Sequence, residues 1–245
     1  TSLVQPNEQE IKNQNIITDN IKSIKADQLR SYLHMKSFKY DIDEYPFKKI
    51  LEKLFGCELG EIHKYLGKFD KLEAASTDQS TFVHKVFYSN FKEKFEPIYR
   101  KFIKNFIAEI LQGHKFYYQV IPTFRVGLPG NVFVGEFHKD SYYNHEDYEL
   151  NFNLGLANYF GSSSLISEIK PLSNTFTKLS SQYGTIFSFD HIDCLHGSEI
   201  NKNDNTMISL DFRLALAEIY FPSNAESKNM NSKFCPGEYF SATCI

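Results

Sequence analysis

Residue types able to do chemistry are concentrated in the second half of this 245-residue chain. His138-Lys139-Asp140 sets an imidazole and a carboxylate two positions apart. On an extended strand that spacing puts both side chains on one face, as a jelly roll presents two metal ligands from a strand end. Spacing alone discriminates poorly, because His191-Ile192-Asp193 repeats it. The third ligand separates the two. His196 follows the first pair after enough chain for several strands to return it across a sheet, whereas it stands five positions after His191, at the opposite strand parity. Two imidazoles and one carboxylate on one face of a metal, with the other positions open, form the donor set of non-haem iron(II) oxygenases. His145 is a further imidazole, read as a solvated loop residue.

Arg213 closes Ser209-Leu210-Asp211-Phe212-Arg213, in which residues 209, 211 and 213 share one face of a strand. A guanidinium fork and a hydroxyl suit the distal carboxylate of a 2-oxo diacid whose other end chelates iron. Arg213 and Ser209 offer both groups. On spacing alone, three unrelated residues and a strand-end arginine paired to a surface carboxylate is the competing reading.

The elements that must position these residues change character near Gly113. Upstream, Ile50, Leu51, Leu54 and Phe55 recur at helical spacing until Gly56, and Ile98, Phe102, Ile103, Phe106 and Ile110 form one apolar face from about Phe95 to Leu111. Downstream, short strands are expected over 117–126, 132–137, 150–156, 164–169, 175–179, 185–189 and 207–215, with no helix between them. That pattern predicts a mainly β jelly roll, cupin-like, packed against N-terminal helices. The expected organisation is a polar arm with short helices and no chemistry over 1–43, one domain over 44–222 (helical layer 44–113, jelly-roll core 114–222), and a polar tail over 223–245.

Composition excludes several partners. An apolar share of 42% can fill a core, and no run approaches the roughly 20 apolar residues of a membrane span. A net charge of −3 without a basic stripe argues against nucleic acid. The polar N-terminal residues carry no signal-peptide core, so a cytoplasmic location is expected. Cys57, Cys194, Cys235 and Cys244 form no CxxC pair and are expected to be reduced and buried.

The words around these residues are specific. Pro122-Thr123-Phe124-Arg125-Val126, Val134-Gly135-Glu136-Phe137-His138-Lys139-Asp140-Ser141, Tyr143-Asn144-His145, Asn151-Phe152, His196-Gly197, Asn201 and Ser209–Arg213 resemble the family of iron/2-oxoglutarate oxygenases named after a streptomycin-biosynthesis protein. The resemblance covers about residues 117–216. It implies a double-stranded β-helix and an iron(II) site at His138, Asp140 and His196. It also implies 2-oxoglutarate near Arg213, with Ser209 and Asn151 as further contacts, and stimulation by ascorbate. Many relatives carry Arg where this chain has Met207, which leaves Arg125 as a second candidate anchor. Asn153 stands where relatives carry an aromatic, implying a more polar pocket.

An intact Asp140 favours hydroxylation over halogenation, which uses a small residue there. The implied reaction consumes O2 and 2-oxoglutarate and releases succinate and CO2. The implied substrate is a small polar biosynthetic molecule such as a sugar, aminocyclitol or amino acid, positioned by Arg125, Tyr142, Asn144 and Asn153. The rival reading is a non-catalytic carbohydrate-binding or cupin-like jelly-roll module.

Overall fold

The computed structural model describes residues 20–65, 81–227 and 232–245. Its centre is an antiparallel sheet in the order β1-β7-β4-β9-β2, built from β1 (Ser37–Lys39), β2 (Phe116–Tyr118), β4 (Glu149–Ala157), β7 (Thr185–Phe189) and β9 (Met207–Leu216), with β3 (Thr123–Gly127) also paired to β9. A second antiparallel sheet, β6-β5-β8, consists of β5 (Leu165–Glu168), β6 (Phe176–Leu179) and β8 (His196–Gly197). A two-stranded ribbon pairs β10 (Glu226–Ser227) with β11 (Ser232–Lys233).

Side-chain alternation divides the large sheet into two faces. Leu150, Phe152, Leu154 and Leu156 of β4 and Ile208, Leu210, Phe212, Leu214 and Leu216 of β9 join the helices in one core. On the opposite parity, Phe187, Phe189 and Met207 join Leu165 and Leu179 of the small sheet in a second core. The two sheets therefore face each other as a jelly roll, and the polar residues of β9 (Ser209, Asp211, Arg213) point between them. Every residue of β9 is buried, because helices cover one face and the small sheet the other.

The helical layer comprises α1 (Leu29–Leu33), α2 (Phe47–Phe55), α3 (Ile62–Tyr65), α4 (Phe82–Asn90), α5 (Glu96–Phe102) and α6 (Ala108–Leu111). Gly56 ends α2 at φ +72°, a conformation that suits glycine, and its N–H donates to Glu52 O. The apolar face expected from Phe95 belongs to a longer helical run that starts at Phe82, where the Thr81 hydroxyl accepts from the His84 N–H. π turns at Phe91–Phe95 and Ile103–Ile107 interrupt it. The first lies just before Pro97, which lacks an N–H and clashes with the preceding turn.

Three strand expectations need correction. No strand forms over 132–137: the Phe133 and Val134 N–H groups donate to the Ser198 hydroxyl instead of a neighbouring strand. The strand expected over 117–126 splits into β2 and β3 around Pro122. There the Gln119 N–H donates to Arg213 O, and the Gln119 carboxamide accepts the Arg213 N–H. The polar segment Ser37–Lys39, read as arm, pairs with β7 as an edge strand. In the tail, Phe234, Tyr239 and Phe240 are buried, and Ser241 N–H donates to Tyr118 O. All four cysteines are free thiols, but only Cys194 is buried and Cys244 is exposed. No helix among the described residues is long and apolar enough to cross a membrane.

Candidate metal centre

His138, Asp140 and His196 come together, each offering one donor atom, with all three atoms within 4.8 Å of one another. The sequence placed the first two on a strand. In the structure Asp140 instead opens a short 3-10 turn, Asp140–Tyr143. What aligns the imidazoles is an isolated antiparallel bridge in which His138 and His196 exchange both backbone hydrogen bonds at 2.9 Å. Their rings lie 4.6 Å apart.

Both rings are fixed in the same way. His138 Nδ1 is 2.7 Å from Glu136 O and His196 Nδ1 is 3.0 Å from Cys194 O. A carbonyl can only accept, so each Nδ1–H donates and each neutral ring keeps its lone pair on Nε2. Those Nε2 atoms stand 3.4 and 3.3 Å from Asp140 Oδ1. Donors about 2.1 Å from a metal and at right angles to each other lie about 3 Å apart, so the three atoms fit one face of an ion. Tyr143 packs edge-on against His138 and Phe189 against His196.

Arg213 Nη2 donates to Asp140 Oδ2, which leaves Oδ1 for the metal. Burial alone would raise the Asp140 carboxyl, but the Arg213 guanidinium holds it well below the usual carboxylate range. Arg213 also donates to the Tyr239 hydroxyl at 3.3 Å and lies 3.7 Å from Asp211 and 3.9 Å from Glu149.

The other sequence-chosen residues divide into two groups. Ser209, Asn151, Asn153 and Arg125 belong to the strands of the site: Arg125 faces Ser209 in the β3–β9 register, Asn151 faces Arg213, and Asn153 faces Asp211. Asn153 Nδ2 donates to Asn151 Oδ1 at 2.6 Å, and Arg125 Nε to Asp211 Oδ1 at 2.7 Å. Tyr142 and Asn144 do not join them; both are exposed on the turn after Asp140, where Asn144 takes φ +66°.

The rival pair separates: His191 is fully buried near Glu149, and Asp193 pairs with Arg30. His145, expected in solvent, instead makes a 2.8 Å contact from Nδ1 to the buried Glu149 carboxylate. Burial pushes the Glu149 carboxyl up, yet the His145 and His191 imidazoles bring it down to about 2. Glu149 shares the parity of Asn151 and Asn153, a signal that could have found it. Tyr239 lies in an aperiodic tail and carried no such signal.

Two facing antiparallel sheets with a two-histidine, one-carboxylate centre define a jelly-roll protein built for a metal. Streptomycin biosynthesis protein StrG of Streptomyces griseus is 30% identical over 202 residues, covering 82% of this chain and 95% of StrG. The chain belongs to the StrG family. No family model matches it. Among solved structures, AviO1 from Streptomyces viridochromogenes Tue57 aligns at 11% identity and TM-score 0.43, covering 78% of this chain and 94% of AviO1. The non-heme alpha-ketoglutarate-dependent carbocyclase SnoK from nogalamycin biosynthesis aligns at 12% and 0.43, covering 80% and 86%. Likeness at that level carries no argument, so the fold rests on the sheets themselves and the family on StrG.

Proposed function

We propose that the chain is an iron(II)- and 2-oxoglutarate-dependent oxygenase that hydroxylates a small polar biosynthetic metabolite. The carrying observation is the convergence of three lone pairs: two Nε2 atoms whose tautomer is set by backbone carbonyls, and one carboxylate oxygen whose twin is held by Arg213. A carbohydrate-binding module gains nothing from that arrangement.

Buried polar atoms test whether the remaining site fits a 2-oxo diacid. Ser209 Oγ and Tyr159 Oη are buried without a hydrogen-bond partner, an arrangement that costs free energy unless a ligand supplies one. Arg125 is the register partner of Ser209, and the Tyr159 hydroxyl feels the charges of Asp211 and Arg125. These three residues fit a carboxylate. Both arginines already hold a carboxylate, but the partner of Arg213 is the metal ligand Asp140, whereas Arg125 holds Asp211, which is no ligand, by Nε. Arg125 with Ser209 and Tyr159 is therefore the favoured anchor for the distal carboxylate of 2-oxoglutarate, with Asn151 and Asn153 left to orient the bound molecules.

When bound, iron with 2-oxoglutarate supplies O2 activation: one oxygen atom goes into succinate as CO2 leaves, and the other into a C–H bond of the substrate. The chain's own tasks are placement and exclusion. Asp140 remains ionised at physiological pH under Arg213, the two imidazoles present fixed lone pairs, and the buried Phe189 ring covers the His196 side against water. The substrate class rests on the streptomycin-biosynthesis name of StrG and on the polar Asn151–Asn153 pair.

Succinate formation is the test. Iron, ascorbate, O2 and 2-oxoglutarate should give slow turnover, stimulated by one member of a panel of sugars, aminocyclitols and amino acids, with Asp140→Ala as the blank. Iron-loaded protein that binds 2-oxoglutarate yet makes no succinate above that blank with any panel member would move the binding module ahead.

A further inference from the structure

Arg30 lies on α1, far in sequence from every residue of the metal centre, in a segment whose composition suggested no chemistry. Its guanidinium nevertheless donates to two loops at once. Nε reaches Asp190 Oδ1 at 2.9 Å and Nη2 reaches Asp193 Oδ2 at 2.8 Å, both on the turn that leads into His196. Nη1 reaches Asp147 O at 2.6 Å and Nη2 reaches Asp147 Oδ1 at 3.3 Å, on the chain just after the turn that Asp140 begins. The side chain is 14% exposed and Asp190 only 4%, whereas Asp147 is 81% exposed. Water screens the Asp147 carboxylate, so the strength of the clamp lies in Asp190, Asp193 and the Asp147 carbonyl.

The clamped turn holds both halves of the metal centre. Its His191 carbonyl accepts the Asp140 N–H at 2.8 Å, and its Ile192 carbonyl accepts the Ser141 hydroxyl at 3.0 Å. Its Cys194 carbonyl accepts the Nδ1–H that orients His196. Asp190 closes the turn on itself by accepting the Asp193 N–H at 3.0 Å. His34, one turn beyond Arg30, accepts the Asp190 N–H at 2.9 Å. Movement of this turn would shift the backbone of one ligand and the ring of another together.

We propose that Arg30 is a positioning residue of the metal centre, a fork that locks the 190–194 turn so that Asp140 and His196 are already arranged to receive the ion. The proposal rests on the metal reading of His138, Asp140 and His196. It makes the segment before the jelly roll part of the site, and it explains why a planar fork stands there: a lysine offers one point charge and cannot reach two carboxylates and a carbonyl together.

The experiment is an anaerobic titration with Co(II), read by calorimetry and by the ligand-field bands of the bound ion. It is run on wild type, Arg30→Ala, Arg30→Lys, Asp193→Asn and His196→Ala, with Lys48→Ala on α2 as a remote control. Each protein is held well below its own melting temperature. Outer partners of metal ligands commonly carry about 10–100-fold in affinity, and that loss is expected for both Arg30 variants, with a smaller loss for Asp193→Asn. The bands should also change shape, because an altered ligand position alters the field, which a change in global stability alone would not do. Folded Arg30 variants that bind Co(II) within about twofold of wild type, with unchanged bands, would overturn the proposal. If Arg30→Ala does not fold, Arg30→Lys and Asp193→Asn decide by the same comparison. Failure of wild type itself to take up Co(II) would bring down the metal reading and this proposal with it, whereas a wild type that binds isolates the clamp.

Discussion

Arg125 and Ser209 face each other across the β3–β9 ladder, and Arg125 Nε lies 2.7 Å from the carboxylate of Asp211, two register positions along. Arg213 approaches the same Asp211 at 3.7 Å from the other side while its Nη2 rests on Asp140. Asp211 thus stands between two arginines with separable tasks: Arg125 toward a carboxylate ligand, Arg213 toward the metal's own carboxylate. Arg125→Ala should weaken 2-oxoglutarate binding by about 2–5 kcal/mol, the range for removing one member of a buried charge pair, and leave metal stoichiometry intact. Arg213→Ala should lose metal as well. Anaerobic titration with 2-oxoglutarate beside metal analysis separates the two. Unchanged 2-oxoglutarate affinity in Arg125→Ala would return the anchor to Arg213.

The metal ligands themselves make a sharper contrast. His138→Ala, Asp140→Ala and His196→Ala should each abolish stoichiometric iron, since each removes one of three donors. His191→Ala should keep the metal although His191 is the more buried imidazole, because its donors do not join the converging set of His138, Asp140 and His196 and its ring faces Glu149 at 4.0 Å. Its cost should appear in stability, as a cavity beside Phe189. Iron analysis on the four variants checks this, and metal lost only in His191→Ala would identify the other His-Asp pair as the centre.

Motif and periodicity located the ligands for different reasons than the fold uses them. Parity on β9 correctly put Ser209, Asp211 and Arg213 between the sheets, because a strand buried on both faces still alternates its side chains. The same rule applied to His138 and Asp140 named the right pair through the wrong element. A single backbone bridge to His196 aligns them, and no strand-length pattern reports a bridge of one residue. Arg30 and Tyr239 were illegible for a related reason. Their contacts join segments more than a hundred and about twenty-five residues away respectively, and nothing local marks such closure. Phe82–Asn90 is hard to read as a helix because its buried face sets a histidine, His84, between Val83 and Phe87 while the aromatic Phe82 is left exposed.

Close approaches at two glycines should be unequal in cost. A Cβ on Gly155 would lie 2.5 Å from the Ser181 carbonyl oxygen, a backbone atom that cannot move without disturbing the inter-sheet packing. A Cβ on Gly197, next to the ligand His196, would meet the Phe137 ring at 2.7 Å, but that ring is 42% exposed and can swing outward. Gly155→Ala is expected to destabilise by about 1–3 kcal/mol, the usual cost of overpacking. Gly197→Ala should cost less than about 1 kcal/mol, as surface adjustments do. Urea midpoints of the two variants give the comparison, and a larger loss at Gly197 would mean that Phe137 is fixed in place.

Acid sensitivity should come in part from His84, buried against Phe124 under the large sheet. Burial, with the nearby Arg125 charge second, lowers its imidazole to about 4 from an ordinary 6.5. The unfolded chain takes up that proton near pH 6.5 and the folded chain only near pH 4, so the unfolded state binds more protons between those values. Stability from this group is complete above pH 6.5, falls as pH drops through the window, and has lost roughly 3 kcal/mol once both forms are protonated. His34 and His191 are lowered by burial in the same sense, so the wild-type acid limb is steeper than His84 alone dictates. His84→Phe keeps the ring volume and the backbone N–H that the Thr81 hydroxyl caps, gives up the 2.6 Å contact between that hydroxyl and His84 Nδ1, and removes the titration. Its stability in urea unfolding should fall below wild type at pH 7.5 by about 1 kcal/mol for the lost hydrogen bond, and the difference should move in its favour by about 2 kcal/mol at pH 5. Parallel pH profiles for the two proteins would show that His84 is already protonated in the folded state, with Thr81 and a rearranged Arg125 accommodating the charge.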